Sequence, residues 1–277
     1  MKRRLRFWLL CPVVFLLAQA GGSLRAQSPQ TLEVGPHGGI TTYLGDINTW
    51  KMFDQFDYEL GGVVRYNYDP RWSFRLDYTY EMIKGNDSVI GWRPERGLSF
   101  RTKIHDLSLI TEFNFLEYYT GRPSTSISPY LFGGISVLMY DPQPYTGIQA
   151  LDTLHLGTML TEGVSYTPFG PTFPYGFALS IPFGFGCKLS LSPHLGATVE
   201  WRMHLTSTDY LDDIHEVYPD ADQHAIIDGY DFTDPSGQFH QGQQRGNSQS
   251  NDWFGSLNVS LTWKFEIPKK THCNLDF

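Results

Sequence analysis

The clearest pattern in the chain is a strict alternation of apolar and polar residues near its end, from Trp253 to Phe265. One face carries Trp253, Gly255, Leu257, Val259, Leu261, Trp263 and Phe265. The other carries Phe254, Ser256, Asn258, Ser260, Thr262 and Lys264. A period of two predicts a β-strand, since successive side chains point to opposite faces. Its roughly thirteen residues are enough to cross a bilayer at the tilt of a barrel strand, whereas strands of soluble sandwiches are usually about five or six residues long.

Seven earlier stretches show the same alternation and predict seven further strands. They cover about 31–44, 58–68, 72–83, 103–116, 129–140, 177–191 and 195–206. The connections between them alternate between short turns and long loops, with an intermediate one at Thr120 to Ser128. The pattern predicts an all-β fold, an eight-stranded antiparallel transmembrane β-barrel over 27–266 with short periplasmic turns and long extracellular loops.

Aromatic residues gather at the predicted short-turn ends of the strands, as the girdle of a membrane barrel does. They are Tyr66, Tyr68, Trp72, Phe113, Phe115, Trp263 and Phe265. The alternative is a soluble eight-stranded barrel of the lipocalin type, in which these aromatic residues face inward and the charged residues face water.

The first 26 residues have the pattern of a secretory signal. Lys2, Arg3, Arg4 and Arg6 form a basic start, an apolar stretch follows from Phe7 to Ala18, and small residues offer cleavage sites up to Ala26. We therefore expect a cell outer-membrane location, with both termini and a C-terminal tail, 267–277, in the periplasm. The net charge of −8 without a basic patch argues against nucleic acid. Outer-membrane lipid is the expected surrounding, and no cofactor or small-molecule substrate is expected.

Charged residues recur on the polar faces of the predicted strands. The set is Arg65, Arg75, Asp77, Glu81, Glu112, Glu200, Arg202 and Lys264. A barrel of eight strands is only wide enough for side chains to fill its interior, and buried charges of both signs must pair. The set predicts an ionic plug in the lumen, and a solute channel is the alternative.

Two groupings of polar residues resemble a catalytic site and a metal site in composition. His204, Glu200 and Asp106 lack a nucleophile, base and orienting group at convincing spacing, so the chain is predicted to be no enzyme and to hold no catalytic residue. The acidic segment Tyr218 to Asp234 lacks the spacing of a calcium loop and is interpreted as a solvated surface loop. No metal site is predicted.

Two cysteines remain after the predicted signal. Cys187 lies on the apolar face of its predicted strand and should therefore face lipid. Cys273 lies in the predicted tail, where it favours an intermolecular disulfide with a periplasmic partner; an exposed free thiol is the alternative. The partner-facing residues of this tail are predicted to be Pro268, Lys269, Lys270, His272 and Phe277.

Five stretches taken in order resemble a known family. They are Tyr43-Leu44-Gly45-Asp46, Arg65 to Trp72, Ser128 to Gly134, Ser180 to Gly184 and Thr208 to Asp213. Together they resemble the small outer-membrane barrels that include PorG, a component of the type IX secretion system of Bacteroidetes-type bacteria. The resemblance implies a non-enzymatic subunit that docks the periplasmic ring, built from a PorK-like lipoprotein and a PorN-like partner, to the outer membrane. Its rivals are a generic OmpA/OmpX-like surface barrel that binds ligands through its outer loops, and a barrel enzyme acting on lipids.

Overall fold

The computed structural model describes residues 30–49, 51, 54–123, 126–148, 151–156, 161 and 175–267. Its strands are β1 (Thr31–Leu44), β2 (Asp57–Asn67), β3 (Trp72–Asn86), β4 (Ser99–Asn114), β5 (Ile127–Pro144), β6 (Gly176–Ser190), β7 (Leu195–Thr206), β8 (Ile226–Ile227), β9 (Tyr230–Asp231) and β10 (Trp253–Glu266). One short helix, α1 (Asp87–Ile90), and a 3-10 turn, Ala221–Gln223, complete the elements. Within the described ranges, no helix is long and apolar enough to span a membrane.

Eight of the strands close into a barrel in the order β1-β10-β7-β6-β5-β4-β3-β2, and β8 and β9 form a separate small hairpin. All neighbouring barrel strands run antiparallel, and the seam joins the first strand to the last, from Thr31 opposite Glu266 to Leu44 opposite Trp253. The predicted all-β fold with eight antiparallel strands is confirmed.

The barrel is apolar outside and polar inside. On β3 the exposed fraction swings from 48% at Leu76 to 1% at Asp77, because neighbouring side chains point to opposite faces of the wall. Leu109 pairs with Leu76 on the next strand and is also exposed, so the outward face is a continuous apolar band. A soluble barrel has the opposite arrangement. The lipocalin-type alternative is therefore wrong, and the outer face is built to contact lipid.

Aromatic side chains mark both edges of this apolar band. At the short-turn end Trp72 packs on Phe113, with ring centroids 4.9 Å apart, and Tyr68, Phe115, Trp263 and Phe265 are exposed there. Tyr58, Phe177 and Trp253 are exposed near the long-loop end. Such paired girdles are typical of membrane barrels.

The barrel wall extends farther on the long-loop side than the sequence predicted. The sequence predicted a loop from Lys84 to Arg101, between the strands at 72–83 and 103–116. In the structure β3 continues to Asn86 and β4 already begins at Ser99. The physical reason is a hydrophobic core at this end of the barrel, where Ile83 and Phe100 are buried beneath the loops.

We call the described parts of the four long connections, 45–56, 87–98, 145–156 and 207–252, the outer cap. Their apolar side chains pack with residues from the upper ends of the strands. The shared core contains Tyr43, Ile47, Ile83, Ile90, Leu98, Phe100, Ile104, Leu138, Tyr140, Leu151, Leu156, Ala178, Leu211, Ile214, Phe232 and Phe254. The outer cap thus covers one end of the lumen.

Candidate functional site

Arg75 lies at the centre of the lumen, where it holds three carboxylates from three different strands. Its Nη1 is 2.9 Å from Glu112 Oε1 and 2.7 Å from Glu200 Oε2, and its Nε is 3.1 Å from Asp77 Oδ2. Its guanidinium also lies over the ring of Phe132, 5.2 Å from the centroid. The contact with Glu200 therefore ties β3 across the lumen to β7, which is not its neighbour in the wall.

Two further cations extend this network toward the short-turn end. Arg65 pairs with Glu33 at 3.0 Å and with Glu112 at 3.0 Å, and Lys188 also pairs with Glu112. On the other side of Arg75, Arg202 pairs with Asp77 and Glu200, both at 2.8 Å. A charge buried in this way is tolerated only when it is paired and hydrogen-bonded.

The charged groups of this network are buried in the interior of the barrel. The guanidinium groups of Arg65, Arg75 and Arg202 and the ammonium group of Lys188 are at most 3% exposed, as are their carboxylate partners. Tyr130 adds a hydrogen bond to Glu200 at 2.6 Å. The interior is packed like the small membrane barrels in which side chains fill the lumen.

Two of the predicted plug residues lie outside this network. Lys264 sits at the short-turn mouth, where its Nζ donates to the carbonyl of Thr120 at 2.8 Å and lies 3.4 Å from the exposed Glu266. Its position near the end of β10 places it below the packed cross-section. Glu81 is fully buried and forms no ion pair with any described lysine or arginine.

The structure also adds lumen residues that the sequence prediction left out of the plug. Glu33 and Lys188 are network members, and Glu59, Asp106, His37 and His204 are buried nearer the outer cap. The alternation had placed these side chains on the polar faces of their strands. Their partners could not be foreseen, because the contacts join strands far apart in sequence.

Glu81, Asp106 and His204 form a separate cluster between the ion-pair network and the outer cap. Each offers one donor atom, and these atoms lie within 4.8 Å of one another. All three residues are buried. Two of its members, His204 and Asp106, also belong to the grouping whose spacing in the sequence does not predict catalysis.

A second polar cluster holds the outer cap onto the rim of the barrel. Tyr43 donates a hydrogen bond to Asp212, and its hydroxyl is 2.8 Å from Asp252 Oδ1. Burial raises the pKa of Asp212 and of Asp252, and the repulsion between the neighbouring carboxyl groups adds to this effect on Asp212. A carboxyl group in this pair therefore tends to stay protonated.

Two buried arginines tie the cap loops together. Arg96 makes a two-pronged contact with Asp87, at 3.0 and 2.7 Å, and donates to the carbonyls of Asp46 and Arg245. Arg245 donates in turn to the carbonyl of Asp213 at 2.6 Å. The acidic segment Tyr218 to Asp234, interpreted as a solvated surface loop, is only partly exposed to solvent. Asp234 is buried and accepts hydrogen bonds from backbone amides.

The profile of one protein family, described as a domain of unknown function (DUF6089), matches residues 10–153, a little over half of the chain. The chain belongs to the DUF6089 family. No curated protein sequence matches this DUF6089 chain.

Two solved outer-membrane barrels are similar to this DUF6089 chain. Neisserial surface protein A (NspA) is 12% identical, with 84% of this chain and 97% of that chain covered and a TM-score of 0.42. The N-terminal β-barrel domain of Pseudomonas aeruginosa OprF is 11% identical, with 85% and 97% covered and a TM-score of 0.37. These likenesses concern the fold alone.

The predicted partner-binding residues of the DUF6089 chain lie outside the described ranges. These are Cys273, the disulfide candidate, and Pro268, Lys269, Lys270, His272 and Phe277, while Ile267 is the last described residue. The predicted signal, 1–26, lies outside them as well. Cys187 is a free thiol on the outward face of β6, in line with the predicted orientation.

Proposed function

We propose that this chain is a non-enzymatic outer-membrane subunit of type IX protein secretion, which docks a periplasmic ring of PorK-like and PorN-like subunits to the membrane. The observation that carries the proposal is the set of buried ion pairs in the lumen. Because they occupy the interior, the barrel wall and its two ends are the surfaces available for binding partners. The apolar outer face supports the outer-membrane location. The five stretches that resemble PorG-type barrels support the choice of secretion system.

The short-turn end is the proposed docking end, and it is rigidly built. Asp69 Oδ1 accepts backbone hydrogen bonds from Arg71 and Trp72, both at 2.7 Å, which fixes the β2–β3 turn. Arg122 and Lys264 line a shallow pocket of about 290 Å³ beside the β4–β5 connection. This arrangement supports a firm docking surface, and the proposed tail with Cys273 would extend from the same end.

Affinity purification of tagged chain from outer-membrane extracts tests the proposal, with each sample run with and without reductant. We expect a periplasmic ring lipoprotein to copurify, and a reducible higher band that is lost in Cys273→Ser but kept in Cys187→Ser. Copurification without that band would remove the disulfide and leave non-covalent docking. Absence of the lipoprotein in both conditions would overturn the docking function.

A surface barrel that binds ligands through its outer cap is the second candidate, and one observation favours it. The cap carries an open groove of about 1030 Å³ whose lining includes Trp92, Arg93, Gln244 and Trp253. Trp92 is 57% exposed there. Loss of surface binding by Trp92→Ala, with no change in copurifying periplasmic protein, would support this reading.

A further inference from the structure

We propose that Glu81, Asp106 and His204 bind one divalent transition-metal ion of the Zn²⁺ class inside the barrel. This inference rests on the lumen alone and is independent of any role in secretion. It also revises the sequence-based expectation that the chain holds no metal site.

Three strands bring the donor atoms together. Glu81 is on β3, Asp106 on β4 and His204 on β7, and their donor atoms lie within 4.8 Å of one another. His204 Nε2 is 3.8 Å from Asp106 Oδ2, which is too long for a hydrogen bond. Neighbouring ligands of a tetrahedral Zn²⁺ are ~3.4 Å apart, given metal–ligand distances of about 2.0–2.2 Å. Small side-chain shifts would bring the three donors to this spacing.

The second observation is that the donor atoms of two of the three residues, Glu81 and His204, have no hydrogen-bond partner among the described residues. Both carboxylate oxygens of Glu81, and Nε2 of His204, are buried without a hydrogen bond among the described residues. Both side chains are fully buried. An unpartnered buried carboxylate costs several kcal/mol, so such a group normally acquires a proton, a cation or a metal.

A further carboxylate, Glu59, lies beside the three residues. Glu59 stands directly opposite Glu81 in the β2–β3 register, and its own oxygens also have no hydrogen-bond partner. The imidazole of His37 lies 3.9 Å from Glu59. Arg202 forms its ion pairs with Asp77 and Glu200. A bound dication would neutralise carboxylates that form no ion pair with any described lysine or arginine.

The neighbours of the three residues orient them as metal ligands. His204 stacks on Phe254, with ring centroids 4.3 Å apart and an interplanar angle of 7°, and its Nδ1 lies 3.2 Å from Ser180 Oγ. A proton on Nδ1 that is donated to Ser180 leaves the lone pair of Nε2 directed into the cluster. Ser108 donates to the carboxylate of Asp106 at 2.8 Å. Outer partners of this kind fix the orientation of ligands in metal sites.

The donor set selects the class of ion. Ca²⁺ and Mg²⁺ prefer sites made of oxygen, and Mg²⁺ keeps several waters, whereas one imidazole with two carboxylates suits Zn²⁺ and its neighbours in the first transition row. Three protein ligands leave a fourth position for a water or for Glu59. The cap core above the cluster, which includes Phe254 and Ile104, separates it from bulk water. The ion is therefore expected to enter during folding and to exchange slowly afterwards.

Refolding the full chain into detergent with Zn²⁺, or with Co²⁺ as a spectroscopic probe, tests the site. After a chelator wash, we expect folded wild-type protein to retain one equivalent of Zn²⁺ by elemental mass spectrometry. The Co²⁺ form should show the visible absorption of a four- or five-coordinate ion. Folding of every sample is checked by its heat-dependent shift on gels, which is independent of metal content.

Glu81→Gln and His204→Gln are the diagnostic variants, and His224→Gln is the matched control. Glu81→Gln removes a buried charge without changing the shape of the side chain, so it should fold and yet lose the ion. His224 pairs with Asp231 at 2.7 Å in the outer cap and tests for adventitious binding by histidine. A folded wild type without metal after the wash would overturn the proposal. Retention by folded Glu81→Gln, or loss in His224→Gln, would do the same.

Discussion

Replacing Arg75 with methionine should destabilise the folded barrel strongly. The side chain is 3% exposed and contacts Asp77, Glu112 and Glu200 at distances from 2.7 to 3.1 Å. Methionine keeps much of the packing on Phe132 but removes the charge. The three carboxylates stay buried, and only Arg65, Lys188 and Arg202 remain to compensate them.

The expected loss is about 3–5 kcal/mol in the free energy of unfolding, the typical cost of removing one partner from a buried ion pair. Arg101 supplies the matched control, because it contacts Asp57 through two bonds of 2.7 Å but is 34% exposed at the outer rim. Solvent screening limits such a pair to about 0.2–1 kcal/mol. Arg101→Met should therefore have a smaller effect than Arg75→Met.

Urea unfolding of the barrel in lipid vesicles, followed by tryptophan fluorescence, measures both variants. A double-mutant cycle then isolates the contact: Arg75→Met combined with Glu200→Gln should be less destabilised than the sum of the single variants, by about 0.5–3 kcal/mol. If Arg75→Met lost no more stability than Arg101→Met, and the cycle showed no coupling, the account of the lumen as a network of interdependent ion pairs would be wrong.

Three other outcomes follow from the structure. Burial raises the pKa of Asp212 and Asp252, so the folded outer cap binds more protons than the unfolded chain does. The resulting stabilisation of the cap is complete below about pH 4, near the pKa of an unfolded aspartate. It is lost as the pH rises through the pKa that these groups have in the folded protein. The rate of proteolysis of the cap, divided by the rate for an unstructured peptide to correct for the protease's own pH dependence, should be higher at pH 8 than at pH 5. Asp252→Asn should reduce this difference. Equal rates for the wild type at the two pH values would contradict the prediction. Gly184→Ala places a Cβ 2.0 Å from a backbone oxygen and 2.7 Å from the Phe132 ring and should cost about 1–3 kcal/mol in urea unfolding, whereas Gly133→Ala, with nothing closer than 3.9 Å, should be neutral. Leu109→Arg places a charge in the lipid-facing band and should cost about 2–4 kcal/mol in vesicles; an unchanged stability would argue against a membrane location.

The strands could be predicted well because one local rule governs them. Alternation located β1 from Thr31 to Leu44 and β10 from Trp253 nearly to its end, and it also assigned Asp77 to the lumen and Leu76 to the outer face. A period of two is visible in any window of the sequence. It needs no knowledge of which strands are neighbours.

The candidate sites were harder, because they depend on contacts across the barrel. The alternation marked Glu81 and Lys264 as inward. Only the assembled barrel shows that Glu81 has no ion pair with a described lysine or arginine and that Lys264 lies at the mouth. The outer cap has no repeating pattern at all. Asp212 and Asp252 look like surface carboxylates until Tyr43 brings them together at the rim.

The ion pairs across the lumen also bear on how the protein enters its membrane. Arg75 and Glu200 are separated by 125 positions in the chain, so no partly formed sheet containing only the first strands can satisfy them. A flat, half-inserted sheet would place these charges against hydrocarbon. The sheet must therefore curl around these charged side chains while they are still hydrated. β10 must already be paired with β1 when the last water leaves the lumen. Membrane insertion and ring closure thus become a single late step, which makes the half-built barrel the state most dependent on assistance in the cell.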